Sequence, residues 1–184
     1  MARGWWQFGS KPARVSEVDL SAGNRHVRMN TSWKVLASCE WISDAQNLLI
    51  VGPGGLGKTF VASALFHEAS TLGHSTVYSE IQEISKAVAL RKSSRQQTWC
   101  KLGRADLLVL DEFSASTMTQ ADQGALSRLL ELRVQRKSTV LVSRTPICEW
   151  QSCCPDLISQ LERFLLECYW VELQSRGCTS RQKL

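Results

Sequence analysis

Leu48-Leu49-Ile50-Val51, followed at once by Gly52-Pro53-Gly54-Gly55-Leu56-Gly57-Lys58-Thr59, is the stretch that decides the fold. The first four residues are a continuous apolar run of the kind buried inside a parallel sheet. The next eight match G-x-x-x-x-G-K-[ST], a loop whose glycines let main-chain N–H groups curl inward around phosphate oxygens. The helix expected to follow adds the positive end of its dipole. Strand, glycine turn and helix in this order predict a polyphosphate cradle. Its binding candidates are Gly52, Pro53, Gly54, Gly55, Leu56, Gly57, Lys58 and Thr59, with the adjoining Phe60. Lys58 is placed to reach the β- and γ-phosphates, and the Thr59 hydroxyl to bind Mg²⁺.

Working outward, the chain alternates apolar runs with stretches long enough for helical crossovers. Buried-strand candidates are 48–51, 75–79, 107–110, 139–142 and 169–173, which predict a five-stranded parallel sheet. The first crossover helix is expected over 58–72, stopped by Gly73 in a left-handed cap. Ile81, Ile84 and Val88 stripe a second helix, and Ala125, Leu126, Leu129, Leu130 and Leu132 a third. A short helix over 33–41 and a proline-started helix over 155–167 complete the pattern. Residues 1–32 show neither period and read as a loosely structured leader, leaving 33–184 as one domain. The expected fold is α/β, a three-layer P-loop NTPase.

A second motif falls where such a sheet would need it. Leu107-Leu108-Val109-Leu110-Asp111-Glu112-Phe113 is an apolar strand ending in two carboxylates. Ligands of doubly wound sheets bind at the carboxyl ends of the strands, so Asp111 would emerge beside the phosphate loop and hold Mg²⁺. Glu112, one residue on, is the candidate base for the water that attacks the γ-phosphate.

Composition narrows the class. The chain has 184 residues, 43 % apolar and 21 % charged, which suits one globular domain. No stretch approaches the roughly eighteen apolar residues of a membrane span, and the first residues lack the apolar core of a secretory signal, so a cytoplasmic protein is expected. The seven cysteines are odd in number and form no C-x-x-C pair, and the three histidines are scattered. Free thiols are therefore expected, and no zinc site.

The order Trp41-Ile42, Asn47 to Gly52, Gly73-His74-Ser75, Ala105 to Phe113, Ser138 to Ser143, Glu149-Trp150 and Val171-Glu172-Leu173 resembles the IstB-like ATP-binding proteins. These are AAA+ helpers of insertion-sequence transposases, similar to the helicase loader DnaC. The resemblance covers roughly 33–181 and implies an AAA+ core with no C-terminal lid domain, binding of ATP and Mg²⁺, DNA as a ligand, an IstA-like transposase or a replicative helicase as partner, and a nucleotide-dependent homo-oligomer. Carried over by position, Arg163 matches the arginine finger that reaches a neighbouring subunit's γ-phosphate, and Arg181 the C-terminal sensor arginine. Two departures stand out. Arg144 follows Ser143 where the family usually has a polar asparagine, and an arginine cannot accept a hydrogen bond; and where the family usually has a longer helical region ahead of the core, a short, loosely structured leader is expected here.

Arg91, Lys92, Arg95, Lys101 and Arg104 fall in one stretch without an acid, as much positive charge as the whole chain's excess of +5. They are candidates for gripping a DNA backbone, with Trp99 stacking on bases; the alternative is a solvated face with Trp99 in the core. Three functions stay open on these residues: an ATP-dependent transposition helper, a DnaC-like helicase loader, and a nucleotide-binding regulatory module with little turnover.

Overall fold

The computed structural model describes residues 13–21, 25–89, 92–166 and 168–175. Its elements in chain order are β1 (Arg25–Met29), α1 (Trp33–Ser38), β2 (Asn47–Val51), α2 (Lys58–Thr71), β3 (Thr76–Glu80), α3 (Ile81–Ala89), α4 (Lys92–Arg104), β4 (Leu107–Phe113), α5 (Gln120–Arg133), β5 (Ser138–Ser143), α6 (Trp150–Cys153), α7 (Ile158–Leu166) and β6 (Cys168–Ser175). The strands form one sheet in the order β1-β6-β2-β5-β4-β3. All neighbours run parallel except β1, which is antiparallel to β6.

The five expected strands are thus present as a parallel set, and a sixth joins them. It comes from the segment read as a loose leader, which was an error of pattern for residues 25–29. Val27 and Met29 pack on the core while His26 and Arg28 face outward. The signal is short, and Arg28 hides it further by pairing with Glu172 across the strands at 3.3 Å. The short helix expected over 33–41 is likewise interrupted, because Cys39 takes a left-handed φ of 56° and a separate 3-10 turn follows.

Alternation along the strands divides the apolar side chains between two faces. Leu48 and Ile50 join Leu36 of α1 and Val61 and Leu65 of α2 in one cluster. Leu49 and Val51 join Ile84 of α3, Leu102 of α4, Leu129 of α5 and Phe164 of α7 in the other. Helices on both faces give the three layers. β2 is buried along its whole length, and each such Leu or Ile side chain contributes about 1.5–3 kcal/mol. Trp150 is fully buried, its ring edge against Phe113 at 5.0 Å and its indole N–H donating to the Thr145 carbonyl at 3.0 Å.

The end of the sheet where the strands begin is sewn together by buried polar groups. Arg133 is fully buried and donates to the carbonyls of Leu102 (2.6 Å), Ala105 (2.9 Å) and Ser138 (2.5 Å) and to the Thr139 hydroxyl (3.0 Å). Burial lowers its pKa to about 10, so it stays charged near neutrality. Beside it Asp106 accepts from the Ser75 N–H (2.9 Å), the Ser75 hydroxyl (2.6 Å) and the Lys137 ammonium (2.6 Å). Among the described residues six cysteines carry free thiols, and no helix is long and apolar enough to cross a membrane.

Candidate nucleotide-binding site

At the opposite end, where β2, β4 and β5 finish, the glycine loop shapes an open cleft of about 230 Å³. Gly52 has φ 148° and gives its N–H to the Ser143 carbonyl at 3.2 Å. A Cβ there would stand 2.1 Å from the Leu173 carbonyl oxygen, so only glycine fits. Gly57, at φ 88°, opens α2 without any side-chain cap. At α5 the contrast is complete, since Thr119 and Asp122 exchange the two hydrogen bonds of a capping box. The first N–H groups of α2 are left for a ligand, with the dipole behind them.

The cleft is lined by Gly54, Gly55, Gly57, Lys58, Thr59, Asp111, Glu112 and Arg144. Lys58 is 6 % exposed and donates to the Pro53 carbonyl at 2.7 Å. Burial lowers its pKa, the Arg144 charge lowers it further, and Asp111 and Glu112 act in the other direction. Asp111 is buried; its Oδ2 accepts from the Tyr78 hydroxyl at 2.5 Å and its Oδ1 from the Glu112 N–H at 2.7 Å. Burial first, and then the Asp111 charge, push the Tyr78 phenol far up, so it remains a donor. An edge contact from Phe66 at 5.7 Å holds the Tyr78 ring.

β4 runs through the two carboxylates instead of ending before them. Leu110 pairs with Leu141 and Phe113 with Ser143, so one extra residue is accommodated in β4 as a bulge. Glu112 sits in it with φ 61°, a conformation uncommon for a side-chain-bearing residue. Its carboxylate pairs with the Arg144 guanidinium at 2.6 Å.

The structure therefore brings the loop, Lys58, Thr59, Asp111 and Glu112 together. Other expected residues lie elsewhere. Leu56 packs on the core of the α2 face, and Phe60, in the first turn of α2, is 42 % exposed without lining the cleft. Arg163 is exposed on α7, outside the cleft lining. Lys101 and Arg104 are exposed at the end of α4 that leads into β4, the far end of the sheet from the cleft. Trp99 packs against the core, which takes it away from the stacking role. Arg91 and Arg181 lie outside the described residues, as do the side chains of Lys92 and Arg95. Tyr78 was missed by sequence reasoning, although a tyrosine inside a buried strand must find a partner for its hydroxyl.

For a divalent ion the cleft, among the described residues, offers one hydroxyl, Thr59, and two carboxylates, Asp111 and the Arg144-paired Glu112. No group of three or more His, Cys, Asp or Glu side chains gathers around a point among the described residues. That donor set fits Mg²⁺, which keeps waters and takes the remainder of its oxygens from phosphates.

Residues 16–184 match the family model described as IstB-like ATP binding protein. The chain belongs to that family. A relative from Sinorhizobium fredii, named as an insertion sequence ATP-binding protein, is 31% identical over 113 residues, covering 60% of this chain and 46% of its own. The IstB-like chain spans about half the length of the curated relatives it matches. The solved structure of AMPPCP-bound DnaA from Aquifex aeolicus superposes with a TM-score of 0.70 at 21% identity, over 90% of this chain and 51% of that one. The DnaC helicase loader superposes with a TM-score of 0.62 at 13% identity, over 87% and 96%. These likenesses place the chain in the IstB-like ATP binding protein family and give it the P-loop NTPase fold.

Proposed function

We propose that this IstB-like chain binds Mg²⁺-ATP in the cleft and serves as an ATPase helper to a transposase acting on DNA. The observation that carries the reading is the uncapped start of α2 facing Asp111 and Glu112 across the cleft. The loop N–H groups and Lys58 bind the phosphates, and Thr59 and Asp111 hold Mg²⁺, which neutralises charge on the phosphate oxygens. Glu112 accepts the proton of the attacking water once it leaves Arg144. Relatives named for insertion sequences support DNA and an IstA-like transposase as partners. Exposure of Arg163 outside its own cleft suits a finger offered to a neighbouring copy in a nucleotide-dependent homo-oligomer, with Arg181 as the sensor arginine. Arg91, Lys92, Arg95, Lys101 and Arg104 are proposed to grip the DNA backbone.

A second reading, a nucleotide-binding regulatory module with little turnover, is favoured by one observation: the candidate base is tied to Arg144 at 2.6 Å. Measuring ATP binding and turnover with and without DNA, in wild type and in Lys58→Ala, Glu112→Gln and Arg163→Ala, separates the two. The helper reading expects binding lost in the first variant and turnover lost with binding kept in the others. Tight binding by wild type without turnover gives the regulatory reading the lead. A helicase loader uses the same nucleotide chemistry, and only capture of a replicative helicase in place of a transposase would favour it.

A further inference from the structure

Among the described residues Arg144 is the one arginine in the cleft lining. It follows the last residue of β5, and its own N–H donates to the Phe113 carbonyl at 3.1 Å, which fixes its main chain against the β4 bulge. Its guanidinium carries five donors in a rigid fork, and Glu112 is its hydrogen-bonding partner among the described residues. The pair is open to solvent, with the arginine side chain 56% exposed and the glutamate 39%. Lys58 stands close enough for the Arg144 charge to disfavour its ammonium form. Two cations thus meet in one cleft, and among the described residues only Arg144 has a carboxylate at hydrogen-bonding distance.

We infer that Arg144 is a specificity residue for the terminal phosphate, which it takes up in exchange for Glu112. The inference rests on the nucleotide reading above and adds to it the selection of triphosphate over diphosphate within a single subunit. An exposed Arg–Glu pair is a weak contact, screened by water and salt. A phosphate carrying several anionic oxygens accepts the guanidinium fork bidentately and is the stronger acceptor. On this inference a diphosphate leaves the Glu112 pair intact, because it lacks the terminal phosphate that draws Arg144 away.

Both main chains are pinned, Glu112 by the bulge and Arg144 by Phe113, so the exchange is a change of side-chain partner alone. When Arg144 turns to phosphate, the Glu112 carboxylate loses its partner and becomes able to accept a proton from water. A single ion pair then does two things. It keeps the base occupied while the cleft is empty or holds diphosphate, and it releases the base when the terminal phosphate arrives.

Calorimetric titration with a non-hydrolysable β,γ-methylene ATP analogue and with ADP, both with magnesium, tests the exchange without depending on turnover. For Arg144→Ala the analogue should bind about tenfold more weakly while ADP changes by less than about twofold. Glu112→Gln, which removes the competitor, should tighten the analogue several-fold, and more so with Arg144 present than in the double variant. Equal losses for both nucleotides in Arg144→Ala and in Arg144→Gln, or an equal gain from Glu112→Gln in both backgrounds, would overturn the inference and leave nucleotide binding standing. Uptake of neither nucleotide by wild type would overturn both.

Discussion

Arg133 and Arg144 bracket β5, and the two arginines live by opposite rules. Arg133, before the strand, is fully buried and spends its guanidinium on three carbonyls and a hydroxyl. Arg144, just after the strand, is more than half exposed and holds one carboxylate. The first arrangement is costly to disturb, because every acceptor it serves would be stranded away from water. The second is cheap to rearrange, because water and salt already compete for both charges. Rigidity at the base of the sheet and exchangeable contacts at its top fit a scaffold that presents a site.

The largest effect that would test this contrast is on stability. Arg133→Ala should cost about 3–5 kcal/mol, read from urea unfolding; a loss below 1 kcal/mol would erase the difference between the two arginines. Next comes Lys58→Ala, expected to weaken ATP binding about a hundredfold while leaving the unfolding midpoint nearly unchanged, since the side chain is partly desolvated and serves one carbonyl. Tyr78→Phe is intermediate: it strips a hydrogen bond from buried Asp111 and should cost about 1–2 kcal/mol, with a few-fold weaker Mn²⁺ signal in spin-resonance titrations.

The smallest effect is a slope against pH. Hydrogen bonds from Lys137 and Ser75 hold the Asp106 carboxyl well below its ordinary value of 3.8. The unfolded chain therefore binds more protons than the folded one just below that value, and stability falls as pH drops through this window. Asp106→Asn should flatten that acid limb in unfolding curves collected between about pH 4 and pH 2. The change will be modest, as the carboxylate is about a third exposed.

What could be read beforehand was what the chain writes locally. The glycines, Lys58 and the paired carboxylates form contiguous words, and apolar runs long enough to be buried on both faces announce the parallel strands. β1 escaped because one side of an edge strand faces water, and its basic residues looked like leader. Arg133 escaped because its four acceptors come from segments that only the fold brings together. Arg144 was visible as a departure, but its tie to Glu112 was not, since that contact depends on a bulge which no spacing rule foretells. Tyr78 and Asp111 are likewise joined only by the pairing of β3 with β4.

The fit of Gly52 against the Leu173 carbonyl also orders events during synthesis. The phosphate-loop motif leaves the ribosome early, yet the strand that walls its back is made more than a hundred positions later. A nascent chain thus carries the motif long before it owns a site, and pairing across so long a separation is slow to form. The cleft is therefore complete only once β6 has joined β2.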